Sequence, residues 1–405
     1  MASSDDTRTT ASRKRATLLT CGAGHFLHDG FHDLVVVLLP VWQLAFGLSL
    51  SQVGLLMTCY TGAMASFQVP AGMLAERLGE RVLLALGTLV TAVGFMTLGL
   101  MGGFVTLAGV LLVAGLGSGA QHPLAATLVA RAYRDGGQRA AMGTYNFTGD
   151  LGKMAVPGLA ALVIAGAGWH WATTGYGGIG VVMALVIYLA LRRLDTGGKQ
   201  APRQGGPDRD LPAGWGIVNK PAFGALSAIA IIDTGTRLGF LTFLPFLLIG
   251  KGLPVEWVGL ALMLIFAGGA AGKLLCGLIA ERFGVIRTVV LTEAVTGGGI
   301  LMLLVLPLAP ILVFLPFLGA ALNGTSSVLY GSVADFVSAD RQARAFGLFY
   351  TLGVAAGAVA PSILGVMSDL TGVATTIGIV GAVALTTIPL ARVIQVTAAR
   401  TVPVA

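Results

Sequence analysis

The stretch GHFLHDGFHD, residues 24–33, places three histidines and two aspartates inside a segment that is otherwise apolar. Four of these side chains follow the spacing i, i+3, i+4 and i+7, so they share one face of an α-helix. They are His25, His28, Asp29 and His32, and Asp33 flanks them. A histidine beside a carboxylate can gain and lose a proton near neutral pH. The predicted proton-coupling residues are Asp29, His28, His32, Asp33 and, in a later apolar segment, Asp233.

Fixed positive charges in apolar segments are the second chemical feature. Arg237 follows Asp233 by four residues, and Lys153 follows Asp150 by three. An arginine can hold a carboxylate, phosphate or phosphonate through two hydrogen bonds, which favours a small anionic or zwitterionic organic solute. The predicted substrate-binding residues are His25, His32, Arg237, Lys153, Asp150, His122, Gln121, Asn323, Tyr145, Asn146, Tyr330 and Tyr350.

Several of these groups also have a purely structural interpretation. Asp233 with Arg237, and Asp150 with Lys153, can be intrahelical ion pairs that only lower the cost of membrane insertion. His122 precedes a proline, so its ring can instead hydrogen-bond a backbone carbonyl that the proline frees.

Metal binding is a further alternative. His28 and His32 have the i, i+4 spacing with which two imidazoles can ligate one divalent cation, and Asp29 or Asp33 can assist. The charge of Arg237 would oppose such a cation unless Asp233 neutralised it.

The elements that position these residues follow from composition. The 405 residues are 55% hydrophobic and only 11% charged, against roughly 25% charged in soluble domains. Recurrent apolar runs of about 20 residues suit membrane-spanning helices. We predict an all-α integral membrane protein whose spans are 18–43, 52–75, 82–101, 105–129, 140–165, 171–191, 222–248, 257–279, 287–306, 310–334, 343–366 and 372–394.

The charged segments predict the topology. Lys and Arg concentrate on the segments that an inside N-terminus places in the cytoplasm, so both termini are expected there. This bias accounts for the net charge of +7 without nucleic acid. The predicted organisation is a cytoplasmic tail at 1–17, a six-helix bundle at 18–191, a cytoplasmic linker at 192–220, a second bundle at 221–395 and a tail at 396–405.

The two predicted bundles are an internal repeat. Pro40 corresponds to Pro245 and Gly143 to Gly347, which are offsets of 205 and 204 residues. Transporters built from such repeats place the substrate site between the halves near the bilayer midplane.

One repeated motif carries a family resemblance. GMLAERLGER, residues 72–81, resembles the loop 2–3 signature of the major facilitator superfamily, and GLIAERFGVIR echoes it in the second half. The resemblance implies twelve transmembrane helices in two pseudo-symmetric six-helix bundles. It also implies that helices 1, 4, 7 and 10 line a cavity and that helices 3, 6, 9 and 12 are peripheral, so Glu293 is interpreted as local structure.

A narrower resemblance lies in the fourth and fifth spans. GLGSGAQHPLAATLVA, followed by GQRAAMGTYNFTGDLG, is similar to the fosmidomycin-resistance-type branch, which has a Gly-rich fourth helix ending in His-Pro. Many drug–proton antiporters carry an arginine in this helix, and the span 105–129 has none. Proton coupling by that route is therefore not expected.

The resemblance further implies that the loop motif helps to close the cytoplasmic side when the outside is open. A tight turn with solvated charges is the structural alternative, and for Lys273 direct substrate contact is the alternative to gating. The predicted gating residues are Gly72, Glu76, Arg77, Gly79, Arg81, Glu281, Arg282, Lys273, Asp335 and Arg344.

Together these features predict a secondary active transporter of the inner membrane that works by rocker-switch alternating access. The favoured function is proton-coupled export of a small anionic or zwitterionic solute or drug. A proton-coupled importer of an organic anion and a divalent metal transporter are alternatives. An intramembrane enzyme or receptor is disfavoured, because no nucleophile motif accompanies the histidines. No cofactor is expected beyond a proton gradient, and the expected partners are the solute and the lipid bilayer, with no nucleic acid and a monomeric chain.

Overall fold

The structure is a computed structural model that describes residues 4–199, 215–338 and 342–399. Helices account for nearly all of these residues. Those before the linker are α1 Ser4–Phe46, α2 Leu50–Leu78, α3 Glu80–Leu98, α4 Phe104–Ser118, α5 Gln121–Ala132, α6 Gln138–Ala167 and α7 Trp169–Arg193. Those after it are α8 Lys220–Gly250, α9 Val258–Phe283, α10 Val285–Val305, α11 Leu308–Ser332, α12 Gln342–Thr371, α13 Val373–Leu385 and α14 Thr387–Ala399.

The all-α membrane architecture is confirmed. Within the described part of the chain, eleven helical segments are long and apolar enough to cross a membrane, and α2 is a further helix of 29 residues that is more polar. The first helix starts at Ser4, well before the predicted position 18. The residues 400–405 of the predicted C-terminal tail and 200–214 of the linker lie outside the described residues.

Two predicted spans are each divided in the structure. The fourth becomes α4 and α5, and the twelfth becomes α13 and α14. The first division falls at Gly119, where the backbone approaches α2 so closely that a Cβ would lie 2.6 Å from the carbonyl oxygen of Met64. A tight packing contact, which leaves no hydropathy signal, accompanies this division.

The chain forms two compact units. The first contains the described residues up to Phe46 and from Cys59 through α7, and the second contains Gly47–Thr58 and the described residues from α8 onward. The division thus differs from the predicted bundles in that the first turns of α2 group with the second unit.

Small residues bring helices together inside each unit. In the first unit, a Cβ on Gly152 of α6 would overlap the carbonyl oxygen of Phe26 on α1. In the second unit, a Cβ on Gly268 of α9 would overlap the carbonyl oxygen of Pro316 on α11. Close backbone approach at small residues is typical of membrane helices, whose association depends on packing because lipid is as apolar as their side chains.

Candidate functional site

Asp29 is the centre of a charged cluster in the first unit. On the same helix, His25 Nε2 lies 3.4 Å from Asp29 Oδ2. From α6, Lys153 Nζ lies 3.3 Å from the same oxygen, and from α5, His122 Nε2 lies 3.7 Å from Oδ1. We call His25, Asp29, His122 and Lys153 the Asp29 cluster; it joins residues that the sequence separates by more than a hundred positions.

The close packing of α6 on α1 makes room for this cluster. Gly149 faces α1 at the level of the carboxylate, where a Cβ would lie 2.6 Å from Asp29 Oδ2. One turn further, Gly152 allows the backbone of α6 to touch that of α1 at Phe26. A larger residue at Gly152 would separate the helices, and one at Gly149 would displace the Asp29 carboxylate or the helix, so both glycines help to keep Lys153 within ion-pair distance of the carboxylate.

The hydrogen bond of His25 fixes the state of its ring. Nδ1 lies 2.8 Å from the carbonyl oxygen of Tyr145, and the imidazole stacks on the Tyr145 ring at 4.2 Å between centroids. A carbonyl oxygen can only accept, so Nδ1 must carry a hydrogen. Nε2, which faces Asp29, is therefore bare in the neutral ring and becomes a donor to the carboxylate only when the imidazole is protonated.

The cluster is buried on one side and open on the other. The side chains of His25 and Asp29 are each 7% exposed, whereas those of His122 and Lys153 are 31% and 29% exposed. An anion that reaches the cluster would therefore meet Lys153 and His122 first. By binding Lys153, the anion would displace the buried carboxylate of Asp29 from its ion pair.

Four more predicted substrate-binding residues lie on α5 and α6, the helices that carry His122 and Lys153. Gln121 is buried beside Gly24, and neither of its amide atoms has a hydrogen-bond partner among the residues that the structure describes. Tyr145 is buried against His25, Asp150 is half-buried, and Asn146 is exposed. The structure therefore groups Gln121 and Tyr145 with the cluster and leaves Asn146 on the surface of the unit.

His28 and His32, the other predicted histidines of α1, have hydrogen-bond partners outside the Asp29 cluster. His28 points toward α3 and α4, where its ring nitrogens lie 3.0 Å from Thr88 Oγ1 and 3.2 Å from Ser118 Oγ. His32 Nδ1 instead lies 2.8 Å from Asp33 Oδ1. Hydroxyl groups on two neighbouring helices thus occupy both ring nitrogens of His28, and its predicted role in proton coupling stays a prediction.

The structure brings together a different set of possible metal ligands from the predicted one. The groups that come together are His25, Asp29 and His122, whose potential ligand atoms all lie within 4.8 Å of one another. The predicted pair, His28 and His32, is engaged with hydroxyl and carboxylate partners elsewhere. The lysine ammonium beside Asp29 competes with a cation for the carboxylate.

In the second unit, Asp233 of α8 and Glu293 of α10 form a buried carboxyl pair. Their exposed fractions are 3% and 1%, and their carboxyl groups lie within hydrogen-bonding reach of each other. Arg237, half-buried one turn along α8, acts electrostatically on Asp233. Sequence reasoning assigned Glu293 to local structure and so missed this contact; its only sequence signal was an acid in an otherwise apolar helix.

The other second-unit candidates occupy separate positions. Asn323 is buried on α11, where its amide nitrogen donates to the carbonyl of Gly319 at 3.2 Å. Tyr350 is 40% exposed on α12. The side chain of Tyr330 lies outside the described part of the structure.

Five of the ten predicted gating residues have exposed side chains. Gly72 and Lys273 are half-buried, and the side chain of Arg344 lies outside the described part of the structure. The exposed candidates are Glu76, Arg77, Glu281, Arg282 and Asp335.

The buried interactions of the first loop motif involve other atoms of the same segment. Gly79 starts α3 with φ of 85°, a left-handed conformation that side chains other than glycine rarely adopt. The next turn is fixed by a hydrogen bond of 2.8 Å from the Arg81 amide to the Gly197 carbonyl. Glu80, which the predicted gating set omits, is 7% exposed and accepts a hydrogen bond of 2.9 Å from Arg131. The motif thus supplies a buried acid, the first residue of α3, to a contact with a half-exposed arginine of α5.

A family model described as Major Facilitator Superfamily matches residues 21–315 and 252–403. The two matches together cover residues 21–403, which include helices of both units. The chain belongs to the Major Facilitator Superfamily. The resemblance seen in the loop motif is confirmed, and membership points to a multi-pass membrane transporter rather than an enzyme.

Relatives in this superfamily share similar lengths with the chain. It is 23% identical to the fosmidomycin resistance protein of Escherichia coli (strain K12), with 86% of this chain and 85% of that protein covered. It is also 23% identical to the D-galactonate transporter of Escherichia coli O6:H1 (strain CFT073), with 85% and 86% covered. The resemblance to the fosmidomycin-resistance-type branch is thereby confirmed.

Solved structures agree on the superfamily fold. A bacterial homologue of the human lysosomal transporter Spinster, crystallised in an inward-facing and occupied conformation, superimposes with a TM-score of 0.71. The match covers 94% of each chain at 16% sequence identity, so it shows the fold.

Proposed function

We propose that this transporter moves a small organic anion or zwitterion together with protons, and that the Asp29 cluster binds both. The observation that carries the proposal is the hydrogen bond from His25 Nδ1 to the Tyr145 carbonyl, because it leaves Nε2 as an empty proton site facing Asp29. A proton placed there converts a bare ring nitrogen into a donor for the carboxylate.

The charges of the cluster link the proton to the anion. Lys153 and Asp29 neutralise each other, so a proton on His25 or His122 makes the cluster positive. An anion that engages Lys153 leaves the charge of Asp29 uncompensated, and a second proton relieves this cost. Intramembrane charges are expensive and mark transport pathways when they remain. Anion and proton therefore bind cooperatively, which favours movement of both in one direction.

Export against protons, the direction expected from the family branch, is the second candidate. Support for it comes from the relative named for fosmidomycin resistance, whereas the relative named for D-galactonate transport supports an organic anion as the solute. In either direction, the energy source is a proton gradient across the inner membrane, and the Lys and Arg bias supports cytoplasmic termini.

Reconstituted proteoliposomes test the proposal and the direction together. With an acidic exterior, cotransport predicts accumulation of labelled galactonate or fosmidomycin, and exchange predicts faster release of preloaded solute. Asp29→Asn should abolish gradient-driven movement in either case and leave solute exchange partly intact. Asp135→Asn, which changes a loop carboxylate that is 75% exposed, is the matched control. Gradient-driven transport that survives in the Asp29→Asn variant contradicts the proposal.

Metal transport is a further candidate because three ligand atoms of the cluster lie within 4.8 Å. A divalent metal that uses this site should raise the melting temperature of the purified protein, and His122→Ala should remove the shift. A screen of divalent metals that leaves the melting temperature unchanged eliminates this candidate.

A further inference from the structure

The buried polar groups around Glu293 contain fewer hydrogens than their hydrogen bonds require. Thr387 Oγ1 has two acceptors within reach, the carbonyl oxygen of Ala384 at 2.6 Å and Glu293 Oε2 at 3.2 Å. A hydroxyl group has one hydrogen to donate. When it points to the nearer carbonyl, Glu293 Oε2 faces a lone pair of the hydroxyl, and only a protonated carboxyl satisfies that contact.

The hydroxyl group of Thr325, the second one beside Glu293, also has another acceptor within reach. Thr325 lies within hydrogen-bonding reach of Glu293, but Thr292 Oγ1, at 2.8 Å from Thr325 Oγ1, competes for its single hydroxyl hydrogen. Thr292 in turn donates to the carbonyl of Thr288 at 3.0 Å, so it cannot return a hydrogen to Thr325. When Thr325 donates along this chain, which ends on a carbonyl oxygen, its hydrogen points away from the carboxyl group.

The contact between Glu293 and Asp233 also lacks a hydrogen-bond donor. Two carboxylates are both acceptors, so a hydrogen bond between them exists only when a proton lies between them. Asp233 Oδ2 and Glu293 Oε1 are buried oxygens for which the described residues supply no donor. One shared proton provides the missing donor for the pair.

The charged group that acts on Asp233 is Arg237, and the groups that act on Glu293 are Asp233 and the hydroxyls of Thr325 and Thr387. With one proton, the two carboxyl groups carry a single negative charge, which Arg237 balances. Without that proton, the two carboxylates and Arg237 would together carry one uncompensated negative charge within membrane-spanning helices, where a charge at a helix centre costs much more than in water.

We infer that Asp233 and Glu293 form a second proton-binding site, in which one proton is shared between the two buried carboxyl groups and Arg237 balances the remaining charge. The site lies in a different unit from the Asp29 cluster and uses none of its residues. The ligand of this site is a proton. Glu293 supplies the second carboxyl group, which an intrahelical pair of Asp233 with Arg237 would lack. Its use during transport rests on the proposed function.

Infrared spectroscopy of the purified full-length protein at neutral pH tests the shared proton directly. A protonated carboxyl group gives a C=O stretching band that is separate from the carboxylate bands and shifts when water is replaced by D₂O. We expect this band in the wild-type protein and its loss in Glu293→Gln, which keeps the size of the side chain, and in Asp233→Asn. In both variants an amide N–H replaces the shared proton as the donor.

Controls separate this inference from the proposed function. Asp29→Asn should keep the carboxyl band while it loses gradient-driven transport, whereas Glu293→Gln should lose the band and lower the number of protons moved per solute. A Glu293→Gln spectrum that equals the wild-type spectrum overturns the proton site. An unchanged proton-to-solute ratio in a Glu293→Gln variant that has lost the band overturns its use in transport. In the wild type, the band should also disappear at high pH, which tests the site without any substitution.

Discussion

Gly149→Ala should disrupt the Asp29 cluster without changing a charge. The added Cβ would lie 2.6 Å from Asp29 Oδ2 and 2.6 Å from His25 Cε1, whereas ordinary contacts begin at 3.4 Å. The difference, 3.4 − 2.6, means that the carboxylate or the helix must move by 0.8 Å. Because Lys153 is on the same helix as Gly149, a shift of Asp29 away from α6 also lengthens its ion pair with Lys153, from 3.3 Å to about 4.1 Å.

The expected free energies can be separated into two parts. Inserting a methyl group into a well-packed site costs about 1–3 kcal/mol. Replacing a glycine by alanine inside a helix stabilises it by up to about 1 kcal/mol. The net effect of Gly149→Ala on the free energy of unfolding is thus between nearly neutral and about 2 kcal/mol unfavourable.

Gly143→Ala isolates the steric part. Gly143 is on the same helix, and a Cβ there would have no heavy atom of another residue within 4 Å. This control should gain the helix-propensity term alone, so the two variants should differ by the steric cost of about 1–3 kcal/mol. Denaturant unfolding in detergent, followed by tryptophan fluorescence, measures the difference, and proteoliposome transport should fall only in Gly149→Ala. Equal stability and equal gradient-driven transport in the two variants would refute the packing argument.

Two further substitutions test single interactions. Lys153→Gln should destabilise the protein by roughly 1–3 kcal/mol, which is less than the 3–5 kcal/mol typical of a fully buried pair because the lysine is partly exposed. The double variant with Asp29→Asn should cost less free energy of unfolding than the sum of the two single changes. Asp369→Ala should cost about 0.5–2 kcal/mol, because this carboxylate accepts from the first two backbone amides of α2 at 2.8 and 2.9 Å; hydrogen exchange of these amides should speed up, and unchanged exchange would show that they do not depend on the cap.

Local helix geometry made part of the site predictable from sequence. The i, i+4 spacing of His25 and Asp29 is sufficient to place the two side chains on one face, and the structure shows them 3.4 Å apart. The apolar runs likewise predicted the helices, because a span of about 20 apolar residues has few alternatives.

The other contacts of the candidate sites depend on neighbouring helices and could not be predicted from sequence. His28 has the same helical spacing as its neighbours, yet its ring nitrogens contact Thr88 and Ser118 on other helices rather than the Asp29 carboxylate. The partner of Asp233 depends on how α8 and α10 pack, and no periodicity within either helix contains that information. Glu293 therefore could not be assigned from sequence, although its burial among hydroxyl groups is plain in the structure.

The internal repeat shows why equivalent positions need not share a function. With the offset of 205 residues, His28 corresponds to Asp233. The ring nitrogens of His28 are both hydrogen-bonded to hydroxyl groups, whereas one oxygen of Asp233 has no donor among the described residues. A group whose hydrogen bonds are complete gains little from a proton, and a group that lacks a donor gains a hydrogen bond with it. In the first unit, the ring nitrogen that faces a carboxylate is instead Nε2 of His25, three residues before the repeat position. Titratable chemistry in this chain thus follows tertiary neighbours rather than repeat register.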